Sequence, residues 1–229
     1  MNNNFNQFES KEKLHETLCA EVARLLDEGI KSDGNAVLAV SGGSTPKPLF
    51  EKLSGIPIEW EKVTITLVDE RWVNNTHKDS NEKLIREYLL QNYAAKVKFI
   101  PLKSDDATPF KGVTNCNIEL SKLKNSFDVI ILGMGTDAHT ASFFPKDENL
   151  SNALTTNLSC AATVPSDAPH KRITLSLNKI LKAKNIFLHI EGEFKKFIFN
   201  KALEDGKSED MPIRALLNNK KTLEVYYAQ

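Results

Sequence analysis

Three short, largely apolar runs, Ala36–Val40, Val63–Val68 and Phe127–Leu132, each break off into glycines or charged residues, and this pattern constrains the fold more than any other feature of the chain. Runs of five or six β-branched and aliphatic residues read as strands buried on both faces, and such strands need helices on either side of one parallel sheet. The intervening segments supply them. Leu14, Leu18, Val22, Leu25, Leu26 and Ile30 recur at helical spacing, which predicts a helix over 9–31 ending before Gly34. Further helices are predicted over 46–53, 80–92, 111–124, 193–204 and 212–218, with a short one after His139. Further strands are predicted over 97–102, 161–164, 172–177, 185–190 and 223–228. The alternation implies an α/β fold, a mostly parallel sheet with helices on both faces and right-handed crossovers, and a single domain over residues 1–229. The polar start Met1-Asn2-Asn3-Asn4 is expected to fray.

In a parallel sheet the strands' carboxyl ends share one edge, so the residues just after each apolar run are brought together there. After Leu132 come Gly133 and Gly135, which allow a sharp turn, and then Asp137 and His139. An imidazole titrates near neutrality and can act as a general base, with Asp137 either orienting the ring or shaping the turn. After Val40 come Ser41, Gly42, Gly43, Ser44, Thr45 and Pro46, which read as an anion cradle: glycines for close approach, Ser44 or Thr45 as a helix cap, Pro46 in the first turn. No Gly-Lys-Ser/Thr follows and the spacing is not Gly-x-Gly-x-x-Gly, so a nucleotide loop is not indicated. After Val68 come Asp69, Glu70 and Arg71. Arg71 either pairs with substrate oxygens and developing negative charge or bridges Asp69 or Glu70, while Asp69 either takes part in the chemistry or organises that loop.

Thirty Lys plus Arg balance thirty Asp plus Glu in 229 residues. No net field draws in nucleic acid or an anionic membrane surface, and an anionic ligand must be held by local groups. Cys19, Cys116 and Cys160 are odd in number and lack paired spacing, which argues against a disulfide framework or a zinc ribbon. No apolar run approaches the ~20 residues that cross a bilayer. A cytoplasmic protein, monomer or homodimer, is expected. Among the five histidines, His15 and His77 read as solvated, His170 as a rim residue and His189 as a core or sheet-face residue, and no metal-ligand motif is present, so no metal and no organic cofactor are expected.

Five blocks stand in the order and spacing of 6-phosphogluconolactonases: Ser41 to Pro46, Asp69-Glu70-Arg71 with Ser80-Asn81, Gly133 to Pro145, Arg172-Ile173-Thr174-Leu175, and Gly192-Glu193-Phe194-Lys195. The chain resembles that family over at least Ser41 to Lys195. The resemblance implies a Rossmann-like fold, a sugar-phosphate lactone as substrate, and hydrolysis of 6-phospho-D-glucono-1,5-lactone to 6-phospho-D-gluconate in the oxidative pentose phosphate pathway. It further implies that His139 is the base, and that Arg172 and Lys195 hold the phosphate beside Gly42, Gly43, Ser44 and Thr45. The family usually has glycine where this chain has Ala138; a positive φ there would strain the alanine by about 1–3 kcal/mol, and a backbone that suits alanine, or a small adjustment, is expected instead. Related glucosamine-6-phosphate deaminases and isomerases carry a carboxylate five residues after the histidine, where this chain has Phe144, so lactone hydrolysis is favoured over deamination. A sugar-phosphate-sensing regulator is a further alternative, disfavoured because the amino-terminal segment holds one amphipathic helix and no helix-turn-helix.

Overall fold

A computed structural model describes residues 3–219 and 223–229. The first half contains β1 (Asn3–Gln7), α1 (Lys11–Asp33), β2 (Ala36–Val40), α2 (Lys47–Ser54), β3 (Val63–Leu67), β4 (Asp69–Arg71), α3 (Asn81–Tyr88), β5 (Lys98–Ile100) and α4 (Pro109–Ser121). The second contains β6 (Val129–Leu132), α5 (Leu150–Thr155), β7 (Cys160–Thr163), β8 (Arg172–Leu175), α6 (Leu177–Leu181), β9 (Asn185–Glu191), α7 (Glu193–Ala202), α8 (Arg214–Leu217) and β10 (Leu223–Ala228). Seven strands form one parallel sheet in the order β1-β10-β9-β6-β2-β3-β5. Every residue of β2 and β6 is buried, as two-sided packing requires. Helix α1 lays Leu14, Leu18, Val22, Leu26 and Ile30 against the sheet, starts at the Ser10 cap and stops at Gly34, whose φ of +77° only glycine adopts freely.

The amino terminus does not fray where the structure describes it. Asn3 and Asn4 belong to β1, which pairs with β10 from Asn3↔Leu223 to Gln7↔Tyr227, while Met1 and Asn2 lie outside the described residues. Backbone groups make that ladder whatever the side chains, and Phe5 adds ring contacts of 5.6 Å to Phe199 and 5.8 Å to Tyr227.

The pairing is also not parallel throughout. Strands β4, β8 and β7 form a separate antiparallel sheet, with Arg71↔Arg172 and Thr163↔Arg172 in register. It grows directly from the main sheet, because β3 runs on into β4 with the Val68 N–H bonded to Val40 O and the Leu175 N–H to Val68 O. The small sheet thus rises over the carboxyl edge of β2 and β3. No helix follows His139: the chain there makes tight turns closed by a Thr140↔Phe143 bridge, and the next helix is α5. Nor does Ser44 or Thr45 cap α2, which starts from Pro46 without a side-chain bond. The hydroxyls of that turn are left for other partners.

Candidate active site

The carboxyl ends of β2, β6 and β9 open into a cavity of about 230 Å³. Its walls are the Ser41–Pro46 turn, Asp69 and Arg71 from β4, Asn81 at the start of α3, the Gly133–Gly135 turn with His139, His189 from β9 and Lys195 from α7. Two glycines are required in the first wall for different reasons. A Cβ at Gly42 would collide with the Asn81 carboxamide, and Gly43 has a φ of +106°. Backbone N–H groups can therefore approach a ligand closely beside the N-terminus of α2.

His139 is built into a strained turn. The Gly135 N–H donates to His139 O (2.9 Å) and the Ala138 N–H to Gly135 O (3.1 Å). A Cβ at Gly135 would meet the imidazole and the Asp137 carboxylate. Asp137 Oδ1 accepts from the His139 backbone N–H at 3.1 Å and lies 2.5 Å from Nδ1. Burial works to raise the Asp137 carboxyl, but the side chain and backbone of His139 outweigh it and hold it below the ordinary aspartate range. An ionised carboxylate only accepts, so Nδ1 carries the hydrogen and Nε2 the lone pair. Asp137 orients the ring and shapes the turn at once.

Ala138 does not find a backbone that suits it. Its φ is +63° and its methyl is fully buried, while its carbonyl accepts the Ile213 N–H at 3.0 Å. Ala141, two residues past His139, has a φ of +51°. Left-handed backbone costs an L-residue about 1–2 kcal/mol, and here it is imposed on both sides of the imidazole by surrounding contacts. Thr140 Oγ1 donates to Gly133 O (2.8 Å), and Ser142 Oγ donates to Asp69 Oδ2 (2.6 Å). The Ser142 N–H reaches Thr174 Oγ1 at 3.3 Å.

The remaining candidates divide between wall and support. Asp69 is buried and accepts from Ser142 and from Asn81 Nδ2 (3.2 Å), tying β4, α3 and the His139 loop together. Arg71 lies in the wall and makes no ion pair with Asp69 or Glu70; its Nη1 donates to Asp79 O at 2.7 Å and its Nε has no partner among the described residues. Lys195 is in the wall, where burial pulls its ammonium below the usual lysine range. Arg172 is not. It is 5% exposed, its guanidinium lies 5.6 Å from the centre of the Phe144 ring, and its Nε and Nη1 are unpartnered among the described residues. Phe144, which does not itself line the cavity, is buried and stacks on the His139 ring, centroids 4.3 Å apart at 25°.

Sequence reasoning did not single out Glu70, Ser142, Thr174 or Asn81 for their supporting work. Glu70 accepts from the N–H groups of Arg71 (2.7 Å), Asn81 (2.8 Å) and Glu82 (2.7 Å) and from Ser80 Oγ (3.1 Å), clamping β4 to the start of α3. His189 is buried in its strand, as a core or sheet-face residue would be, but His15, expected to be solvated, is buried as well; their Nε2 atoms lie 3.0 and 2.9 Å from Glu191 Oε1. Among the described residues two groups have the composition of metal ligands, His15/His189/Glu191 and His77/Asp79/His170, and neither includes His139.

A parallel sheet carrying an acid-anchored imidazole and an anion-facing glycine turn on its carboxyl edge defines an α/β enzyme for a small anionic substrate. The family profile described as Glucosamine-6-phosphate isomerases/6-phosphogluconolactonase matches residues 9–225. A 6-phosphogluconolactonase of Rhizobium meliloti is 39% identical over 100% of both chains, and one of Neisseria meningitidis is 37% identical over 98% of this chain and 99% of its own. The crystal structure of a 6-phosphogluconolactonase from Shewanella baltica superimposes with a TM-score of 0.97 at 44% identity, covering 99% of this chain and 98% of that one. The chain belongs to the glucosamine-6-phosphate isomerase/6-phosphogluconolactonase family.

Proposed function

We propose that the chain hydrolyses 6-phospho-D-glucono-1,5-lactone to 6-phospho-D-gluconate, with His139 as the base. The observation that carries the reading is the Asp137–His139 pair with Phe144 stacked on the imidazole. The names of the full-length relatives support it from outside the site. Nε2 takes a proton from water as its oxygen bonds to C1, and the carbonyl oxygen becomes an oxyanion beside Arg71. Collapse of the tetrahedral species breaks the bond from C1 to the ring oxygen, which takes the proton back from the imidazolium. The new carboxylic acid then ionises to solvent. Asp137 stays a carboxylate throughout and steadies the imidazolium in between.

At the other end, the phosphate is assigned to the N–H groups and hydroxyls of Gly42, Gly43, Ser44 and Thr45 and to Lys195, with Arg172 adding positive potential from beside Phe144. An ester carbonyl is electrophilic enough for base-activated water, so no metal is required. The three free cysteines are all buried, which supports a reducing, cytoplasmic setting. Among the described residues no helix is long and apolar enough to cross a membrane. The isomerase half of the family name is disfavoured by Phe144, which puts an apolar ring where the related deaminases carry a second carboxylate five residues after the histidine.

The test is to generate the phospholactone in situ and follow its loss against the spontaneous rate after exhaustive chelation, beside an ammonia-release assay on glucosamine 6-phosphate. Accelerated lactone loss without ammonia release supports the reading; steady ammonia release, or lactone loss no faster than background, overturns it.

A further inference from the structure

We infer that His189 is a proton-taking contact for the substrate's phosphate, gripping Glu191 through Nε2 and offering Nδ1 to the anion, so that the phosphate and a proton enter together. The inference rests on the lactonase reading, because it names a determinant of that same cavity.

His189 belongs to the cavity wall that also holds Lys195 and the Gly42–Thr45 turn, yet it is only 2% exposed. Its Nε2 lies 3.0 Å from Glu191 Oε1, and His15 Nε2 approaches the same oxygen at 2.9 Å. The rings of the two histidines meet edge-on with centroids 5.4 Å apart. Burial opposes ionisation of Glu191, but His15, His189 and Lys11 overcome it and hold the carboxyl far below the ordinary range. A carboxylate cannot donate, so both Nε2 atoms carry hydrogens. The one nitrogen of His189 left over is Nδ1, and it has no partner among the described residues. In the neutral ring Nδ1 is a bare lone pair. A phosphate oxygen placed against a lone pair is repelled; placed against an N–H it gains a charge-assisted bond.

The charged and titratable groups around the ring come from four elements. Glu191 of β9 favours the imidazolium, while His15 of α1 and Lys195 of α7 oppose it, and Lys11 of α1 shares Glu191 at 3.3 Å. Tyr226, paired with His189 across β10, has a hydroxyl that burial pushes to about 12 and stays uncharged. Burial is the largest influence and pulls His189 below the usual histidine value, which favours the neutral ring. Arrival of a phosphate dianion reverses that balance. One N–H bond forms at Nδ1, the proton coming from solvent, and Glu191, imidazolium and phosphate then stand in line. Neutral gluconolactone brings no charge to drive the step, and the device therefore selects for the phosphorylated lactone.

The test uses 6-phosphogluconate, the stable product, titrated calorimetrically at pH 7.5 in two buffers of different ionisation enthalpy. His189→Gln keeps a donor toward Glu191 and removes Nδ1; His189→Asn keeps an amide near the Nδ1 position that cannot titrate. The ligand's own protonation is common to all three proteins and cancels. Wild type takes up about half a proton or more in excess of either variant, as a group moved across the working pH must. His189→Gln also raises KM for the phospholactone about 10-fold with kcat within about twofold, the worth of one charge-assisted bond. If His189→Gln does not fold, the proton count of His189→Asn decides alone. Equal proton uptake in wild type and variants, with lactonase activity intact, overturns the inference and leaves the lactonase reading standing. Absence of both lactonase activity and 6-phosphogluconate binding in wild type overturns both.

Discussion

Ala138 shows how a single position can both hold and limit a catalytic turn. Its left-handed backbone and buried methyl leave no room for a branched side chain, and its carbonyl is committed to Ile213. Ala138→Val adds β-branching at positive φ inside a filled space and is expected to cost about 2–4 kcal/mol. Because the strain sits beside His139, kcat should fall together with the midpoint of urea unfolding. A variant with unchanged midpoint and unchanged kcat would mean that the turn is softer than its contacts indicate. Ala138→Gly relieves the backbone but loses a buried methyl and frees the unfolded chain, so its stability should stay within about 1 kcal/mol of wild type. The Asp-x-His pair was legible in the sequence because both groups lie two residues apart after a strand. The Gly-to-Ala departure raised strain at Ala138 as an alternative but could not decide it, since the carbonyl there is held by Ile213, seventy-five positions away.

At the scale of elements, the main sheet was readable and the small one was not. β2 and β6 advertise themselves because two-sided burial leaves only apolar residues in them, and β3 breaks its apolar run only with Thr64 and Thr66. β4 is three residues long, Asp69, Glu70 and Arg71, and its strand character comes from pairing with β8 about a hundred positions later. β1 escaped notice for a similar reason: an edge strand of asparagines is held by its ladder to β10 rather than by a pattern. The joint between β4 and α3 carries a test of its own. Glu70 accepts four hydrogen bonds there, three from backbone N–H groups. Glu70→Gln turns one acceptor oxygen into a donor facing donors, so a loss of about 2–4 kcal/mol is expected. KM should rise as well, because Arg71 and Asn81 flank that carboxylate in the cavity wall. Thermal unfolding and steady-state kinetics on the purified variant check both, and an unchanged Tm would show that the clamp is dispensable.

Over the whole molecule, Glu191 joins the long first helix to the sheet, meeting Lys11 and His15 of α1 and His189 of β9. A glutamate held far below its unfolded value of about 4.3 contributes its full stabilisation above that pH and loses it progressively as the pH falls below. Glu191→Gln should therefore lower stability near pH 7 by about 1 kcal/mol, the sum being reduced by solvent screening at a partly open site. The gap between variant and wild type should close toward pH 3. Tm measured across that range checks the sign, and a gap that widens in acid would contradict it. Asp33, exposed and paired with Lys124 and Lys184, is also held low and should add to the same acid sensitivity.

The central claim, that an imidazole aimed by Asp137 activates water at the lactone carbon, is tested most directly by turnover of in-situ 6-phosphogluconolactone in wild type and His139→Asn side by side. The variant should lose about 10²–10⁴-fold in kcat, the worth of a positioned general base, with KM within about threefold. A His139→Asn protein that keeps more than half of the wild-type kcat would contradict the account.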